Sequence, residues 1–147
     1  MINRKSIEDS VREEILKRDL PLVCWRIRSH KEVYPHDIYS TPKRRYCVQL
    51  TIPSSDHKAL FEGTSHSFID FWYNQRQKYI FGVNLFVHSE YRNLSYGKRF
   101  VEIMENVGKK LGCNSIRFGL NINEEFWEHT GYVPLKSNYH IWIKRLQ

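Results

Sequence analysis

Between His88 and Gly97 the chain carries residue types suited to binding an anion. Tyr79 to Val87 is an aromatic and β-branched run that reads as a central strand. It continues through His88-Ser89-Glu90-Tyr91-Arg92-Asn93-Leu94-Ser95-Tyr96-Gly97 into a segment of helical period. A turn of this kind aims several backbone N–H groups without intrahelical acceptors, and the positive end of the helix dipole, at one spot. Gly97 lets an anion approach the backbone closely, while Arg92, Lys98 and Arg99 add formal positive charge. Physically this is a pyrophosphate site. An ordinary strand-to-helix turn uses the same residue types, so the elements around it have to decide.

After Ser95 the apolar residues Phe100, Ile103, Met104, Val107 and Leu111 fall at i, i+3, i+4, i+7 and i+11, one face of a helix. Gly112 takes the C-terminal position that tolerates positive φ. Ile116, Phe118 and Leu120 alternate as a strand, Glu124 to Thr130 forms a short helix stopped by Gly131, and Tyr139, Ile141 and Ile143 alternate in a last strand. A strand, helix and strand at this spacing imply parallel pairing through a right-handed crossover. Upstream, Ile7, Val11 and Ile15 predict an amphipathic helix over 6–18, opened by a capping box of Ser6 and Asp9. Leu22 to Arg28 alternates as a strand, 29–44 reads as an exposed connection, and 45–52 alternates as a second strand closed by Pro53. Residues 54–66 are turn-like. The stretch 67–74 fits both periods imperfectly and is taken as a strand. The fold class is α/β, a mixed sheet with helices.

A length of 147 residues suits a single domain, and 41% hydrophobic with 14% aromatic residues supplies a core without metal or disulfide staples. No apolar run approaches the roughly 18 residues of a membrane span, and the first residues do not lead into a signal sequence, so a cytoplasmic protein is expected. The net charge of +7 is spread over both halves and favours anionic partners: nucleic acid, an acidic protein or a polyphosphate cofactor. Cys24, Cys47 and Cys113 are far apart with no Cys-x-x-Cys, and the seven histidines are scattered, so no metal site is read.

From Leu85 onward the chain resembles the GNAT superfamily of acyl-CoA-dependent N-acyltransferases. The strand end and turn read Leu85-Phe86-Val87-His88-Ser89-Glu90-Tyr91-Arg92. The loop reads Arg92-x-x-Ser95-x-Gly97, against a family pattern of Arg/Gln-x-x-Gly-x-Gly/Ala. The later short helix reads Phe126-Trp127-Glu128-His129-Thr130-Gly131-Tyr132. The resemblance implies a central mixed sheet with helices on both faces in one domain over 1–147. Residues 79–147 would form the acyl-CoA half, and the unmatched 1–78 the acceptor side. It implies acetyl-CoA as co-substrate and a primary amine of a protein or small molecule as acceptor. Leu85, Phe86 and Val87 would pair with the pantetheine arm. The amides of Arg92, Asn93, Leu94, Ser95, Tyr96, Gly97 and Lys98 would hold the pyrophosphate, with Asn123 and Trp127 near the thioester. The Val87 amide would stabilise the oxyanion.

The departures bear on catalysis. Ser95 replaces the first loop glycine, and its side chain is expected to hold a regular backbone there. The family's acid Tyr is Trp127, whose indole N–H cannot protonate a thiolate. The base Glu of the histone-acetylating branch is Phe81. Candidate replacements for the base are Asp70, Glu62 and His66, with Asp70 standing out on an aromatic strand; for the acid they are Tyr132 and Tyr139. Two other functions compete. One is a non-enzymatic binding protein that keeps the fold. The other is a nucleic-acid module whose basic and aromatic face would be Trp25, Arg26, Arg28, Lys43, Arg44, Arg45 and Tyr46.

Overall fold

The computed structural model describes residues 3–18, 23–36, 45–53, 66–88, 91–119 and 123–147. Its elements run α1 Arg4–Leu16, β1 Cys24–Ser29, α2 His30–Val33, β2 Arg45–Ile52, β3 Ser67–Asn74, β4 Tyr79–Phe86, α3 Tyr96–Lys110, β5 Ser115–Gly119, α4 Glu124–His129, β6 Val133–Leu135 and β7 Asn138–Arg145. One seven-stranded sheet takes the order β1-β2-β3-β4-β5-β7-β6. Every neighbouring pair is antiparallel except β4 and β5, which are parallel and joined through α3 as the spacing predicts.

Period 2 sorts the strand residues onto two faces. Ile27, Val48, Leu50, Ile69, Phe71, Ile80 and Ile116 lie on the face covered by α3 and α1. There they bury against Ile7 and Val11 of α1 and Phe100, Ile103, Met104 and Val107 of α3. Each such side chain contributes about 1.5–3 kcal/mol relative to exposure. On the opposite face the single-turn α2 sets His30 and Tyr34 against Trp72, with ring centroids 5.7 and 6.0 Å away. Helices thus lie on both faces.

A charged clamp closes α1 onto α3. Glu14 is almost wholly buried, its side chain 1% exposed, and accepts from Lys17, Arg18 and Lys110 at 3.3, 3.2 and 2.7 Å. Burial alone would raise its pKa. Hydrogen bonds from Lys110, Asn106 and Lys17 overcome that and hold it at about 2.

Several boundaries differ from the sequence reading. The cap of α1 is Asn3, whose side chain accepts from the Ser6 amide at 3.0 Å, so the helix starts before the Ser6/Asp9 pair. Helix α2 was read as connection, although Ser29 and Glu32 form a full capping box. Strand β6 was missed because three residues containing Pro134 carry no period. Residues 67–74 are a strand, paired on both sides. The described members of the basic–aromatic face are divided between the two sides of the sheet. Trp25 lies on the α1 side beneath Arg12, while Arg26 and Arg28 project from the other side to Gln49; Lys43 and Arg44 lie outside the described residues.

Candidate active site

The decisive feature of the sheet is where β4 and β5 part. Their pairing runs from Tyr79↔Ser115 to Gly82↔Phe118, and β4 continues to Phe86 with no further β5 partner. Two details explain the separation. The Phe118 ring lies over Gly82, where any Cβ would collide with it, and Trp127 supports that ring at 4.3 Å. Immediately afterwards β4 bulges: Asp70 pairs with Asn84 and Phe71 with Gly82, leaving Val83 as the extra residue. The pairing with β5 thus ends at the position where the Phe118 ring packs over Gly82, next to the bulge in the β3–β4 ladder.

The gap forms a cavity of about 1050 Å³ lined by Val83 to Val87, by Tyr91 to Asn93 and Ser95 to Lys98 at the start of α3, and by Phe118, Asn123, Phe126, Trp127, His129 and Thr130. Its rim is anchored. The His88 amide donates to Ser67 Oγ at 2.8 Å, the Tyr91 hydroxyl to Pro53 O at 3.0 Å, and Arg92 Nε to Val87 O at 3.3 Å. Tyr91 and Tyr96 lean together with ring centroids 5.2 Å apart.

The loop above is tightly curled. Asn93 and Ser95 both take left-handed backbone, with φ of 69° and 61°. The expectation of a regular backbone at Ser95 is therefore wrong: serine keeps a glycine-like conformation, at a cost of about 1–2 kcal/mol for its Cβ. Ser95 is the N-cap of α3, and its side chain caps nothing. The first-turn amides of Tyr96, Gly97 and Lys98 are consequently left without intrahelical acceptors, pointing out of the helix end.

No protein-family model matches the sequence, and no curated protein does. Solved structures do match. A GNAT-family acetyltransferase from Staphylococcus aureus superposes with a TM-score of 0.52 at 14% identity, covering 99% of this chain and 96% of the other. An acetyltransferase from Bacillus cereus gives 0.51 at 17% identity, covering 99% and 96%. The ribosomal-protein-S18-alanine N-acetyltransferase of Escherichia coli gives 0.50 at 12% identity, covering 86% and 95%. This is the GNAT fold. The likeness spans both halves of the chain, including the half in which the sequence carries no defensible resemblance.

Within this GNAT fold the residues singled out from sequence distribute as follows. Leu85, Phe86, Val87, Arg92, Asn93, Ser95, Tyr96, Gly97, Lys98, Asn123 and Trp127 all line the one cavity. Leu94 is half-exposed and does not. Asn123 has a structural task, since its Oδ1 accepts the Phe126 amide at 3.1 Å and caps α4. Trp127 is 2% exposed and serves as core, in contact with Phe118, Phe126 and Tyr132.

The candidate acids fall away. The Tyr132 hydroxyl is buried on Glu105 Oε2 at 2.9 Å, and burial together with that carboxylate pushes its pKa far up. Tyr139 is 75% exposed, and neither tyrosine lines the cavity. Glu62 lies outside the described residues, and His66 is buried at the foot of β3.

Asp70 is different. It sits beside the cavity on the face opposite α3, accepting from Gln49 Nε2 at 3.1 Å and from the Asn84 side chain. Burial raises its carboxyl above the usual range, against the pull of those two hydrogen bonds and of Arg26 and Arg28. Asn84, which sequence reasoning missed, both lines the cavity and bonds Asp70. Gly82 was missed too, although a glycine inside a strand run signals a bulge or a close approach.

Proposed function

We propose that this protein is an N-acetyltransferase that moves an acetyl group from acetyl-CoA to the primary amine of a protein or small molecule. The observation that carries this reading is the cavity at the β4–β5 separation, overhung by the uncapped start of α3. The residues suit the coenzyme. A Cβ at Gly97 would lie 3.6 Å from both Val87 and Phe126, on two walls of the cavity, so glycine keeps open the space beside the helix-end amides. Those amides, with Arg92 and Lys98, would hold the diphosphate, and the β4 backbone from Leu85 to Val87, which has no partner on the β5 side among the described residues, would hold the pantetheine arm. When bound, the coenzyme supplies an activated acyl group as a thioester.

The chain's own contribution is positioning, charge stabilisation and proton removal. Aligning amine and acyl carbon contributes the largest share that geometry alone can give. The Val87 N–H is assigned to the oxygen on which negative charge develops. An amine attacks only when neutral, and Asp70, reaching the cavity through Asn84 or a water, is assigned to take its proton. Trp127 and Tyr132 are core residues, so neither is assigned to protonate the leaving thiolate.

The test pairs calorimetry with thiol release on an amine panel. Wild type should bind acetyl-CoA and release thiol only with amine present, and Arg92→Glu should weaken both. Absence of binding heat at millimolar CoA would overturn the reading. Binding without turnover on any amine would leave a coenzyme-binding protein that is not an enzyme.

A further inference from the structure

The face of the sheet opposite α3 carries a line of polar side chains crossing four strands. Register alone puts them in one row: Arg26 of β1 pairs with Gln49 of β2, Gln49 with Asp70 of β3, and Asp70 with Asn84 of β4. Arg28, two residues along β1, leans into the same row. Its Nη2 donates to Gln49 Oε1 at 2.9 Å, the oxygen that also accepts from Arg26 Nε. Two guanidiniums therefore converge on one neutral carbonyl. Of the five N–H donors of Arg28, one has an acceptor among the described residues, and its Nε is buried with none. Arg28 makes no ion pair with any described carboxylate.

The row leads to the cavity. Its last member, Asn84, lines the gap between β4 and β5. The α3 side of the sheet is filled by Ile80, Phe100 and Met104, so a second substrate reaches the gap from the opposite face, along this row. The neighbouring rows are aromatic. Trp72 with Tyr34 flanks one side, and Phe68 with Phe86, centroids 6.0 Å apart, flanks the other. The row thus has a cationic end over β2 and an acidic end beside the cavity, with aromatic side chains in the rows to either side.

We propose that the acceptor amine also carries an anionic group, carboxylate or phosphate, which Arg28 and Arg26 hold while the amine points at Asp70 and Asn84. Strands lie about 4.8 Å apart, so one to two strand spacings separate the two charges of the acceptor by roughly 5–10 Å. The aromatic walls suit a methylene chain between them. A planar guanidinium pair matches a bidentate anion better than any single cation would. This rests on the acyl-transfer reading, since it names the second substrate of that same site.

The experiment is calorimetric titration of the CoA-saturated protein with 6-aminohexanoate, 6-aminohexyl phosphate and hexylamine, which share the amine and differ in the distal group. Wild type should bind at least one anionic amine 10-fold or more tightly than hexylamine, and the stronger of the two identifies the anion. Arg28→Gln should bring that ratio near one, and Arg28→Lys should keep part of it. Equal binding of all three by wild type, or a preference undiminished in Arg28→Gln, overturns the proposal. The wild-type ratio needs no variant, so it decides even where Arg28→Gln fails to fold. If CoA itself does not bind, the acyl-transfer reading fails and this one with it. If CoA binds and the ratio is one, only the anion assignment fails.

Discussion

Gly97 offers a test in which stability and binding must move in opposite directions. It lies in the first turn of α3, and its backbone is not in the left-handed region, so an L side chain fits the conformation. The built Cβ lies 3.6 Å from Val87 Cγ2 and 3.6 Å from the Phe126 ring, ordinary van der Waals contacts. Gly97→Ala therefore adds helix propensity of up to about 1 kcal/mol without a clash. For a chain of this size that raises Tm by about 2–4 °C. The same methyl bridges the two walls of the cavity beside the Tyr96–Lys98 amides. Hydrogen bonds to a charged group contribute about 1.5–3 kcal/mol each. Displacing the diphosphate from a single amide thus weakens acetyl-CoA about 10- to 100-fold. Differential scanning fluorimetry without ligand and calorimetry with acetyl-CoA read the two quantities. A variant that is more stable and binds acetyl-CoA as tightly as wild type would refute the placement of the diphosphate at this helix end. A variant that loses both stability and binding would refute the claim that the backbone accepts a side chain here.

Other expectations follow from single contacts. Ser95→Gly removes a Cβ from left-handed backbone at φ 61° and should stabilise the protein by about 1 kcal/mol in a urea melt, since serine caps nothing there. Asp70→Asn should not lower Tm at pH 7, because burial raises the carboxyl's pKa and the neutral form is the one the fold favours. It should nonetheless cut thiol release by about 10²-fold or more, the range for loss of a positioned base. Glu14, held at about 2 against an ordinary 4.5, contributes stability that is fully present above pH 4.5 and lost as pH falls toward 2. The difference amounts to about 3 kcal/mol. Glu14→Gln should lose a similar amount at pH 7 and show a flatter acid limb, read as urea midpoints from pH 7 to pH 2.

The C-terminal half was legible because its site is made of backbone. A strand, an Arg, a Gly and a helix of strict period specify a turn geometry, and those signals follow one another directly between Tyr79 and Leu111. Even so, Ser95 misled: a side chain was expected to forbid a conformation that serine can adopt at modest cost. Gly82 drew no reading from sequence, although it makes room for the Phe118 ring at the last β4–β5 pair. Asn123 and Trp127 line the cavity, where one caps a helix and the other is a core ring. A residue type and an address do not reveal which of its atoms are already engaged.

The N-terminal half was opaque for a different physical reason. Arg26, Gln49 and Asp70 lie 23 and 21 residues apart and Asn84 a further 14, and only the pairing register makes them one row. Register is set by which faces bury Ile27, Val48, Ile69 and Ile80, a property of the assembled sheet. A one-residue slip of β2 would turn Gln49 into the core and leave Asp70 without its partner. In the proposed reading, coenzyme binding would rest on local geometry that spacing can announce, and choice of acceptor on side chains that meet only after the sheet has formed. Trp127 makes the same point: it lines the cavity, yet it is 2% exposed and packs on the Phe118 ring at 4.3 Å, a core role. The proposed reading assigns proton removal to Asp70, which lies on the sheet face opposite α3 and pairs with Asn84 at the cavity.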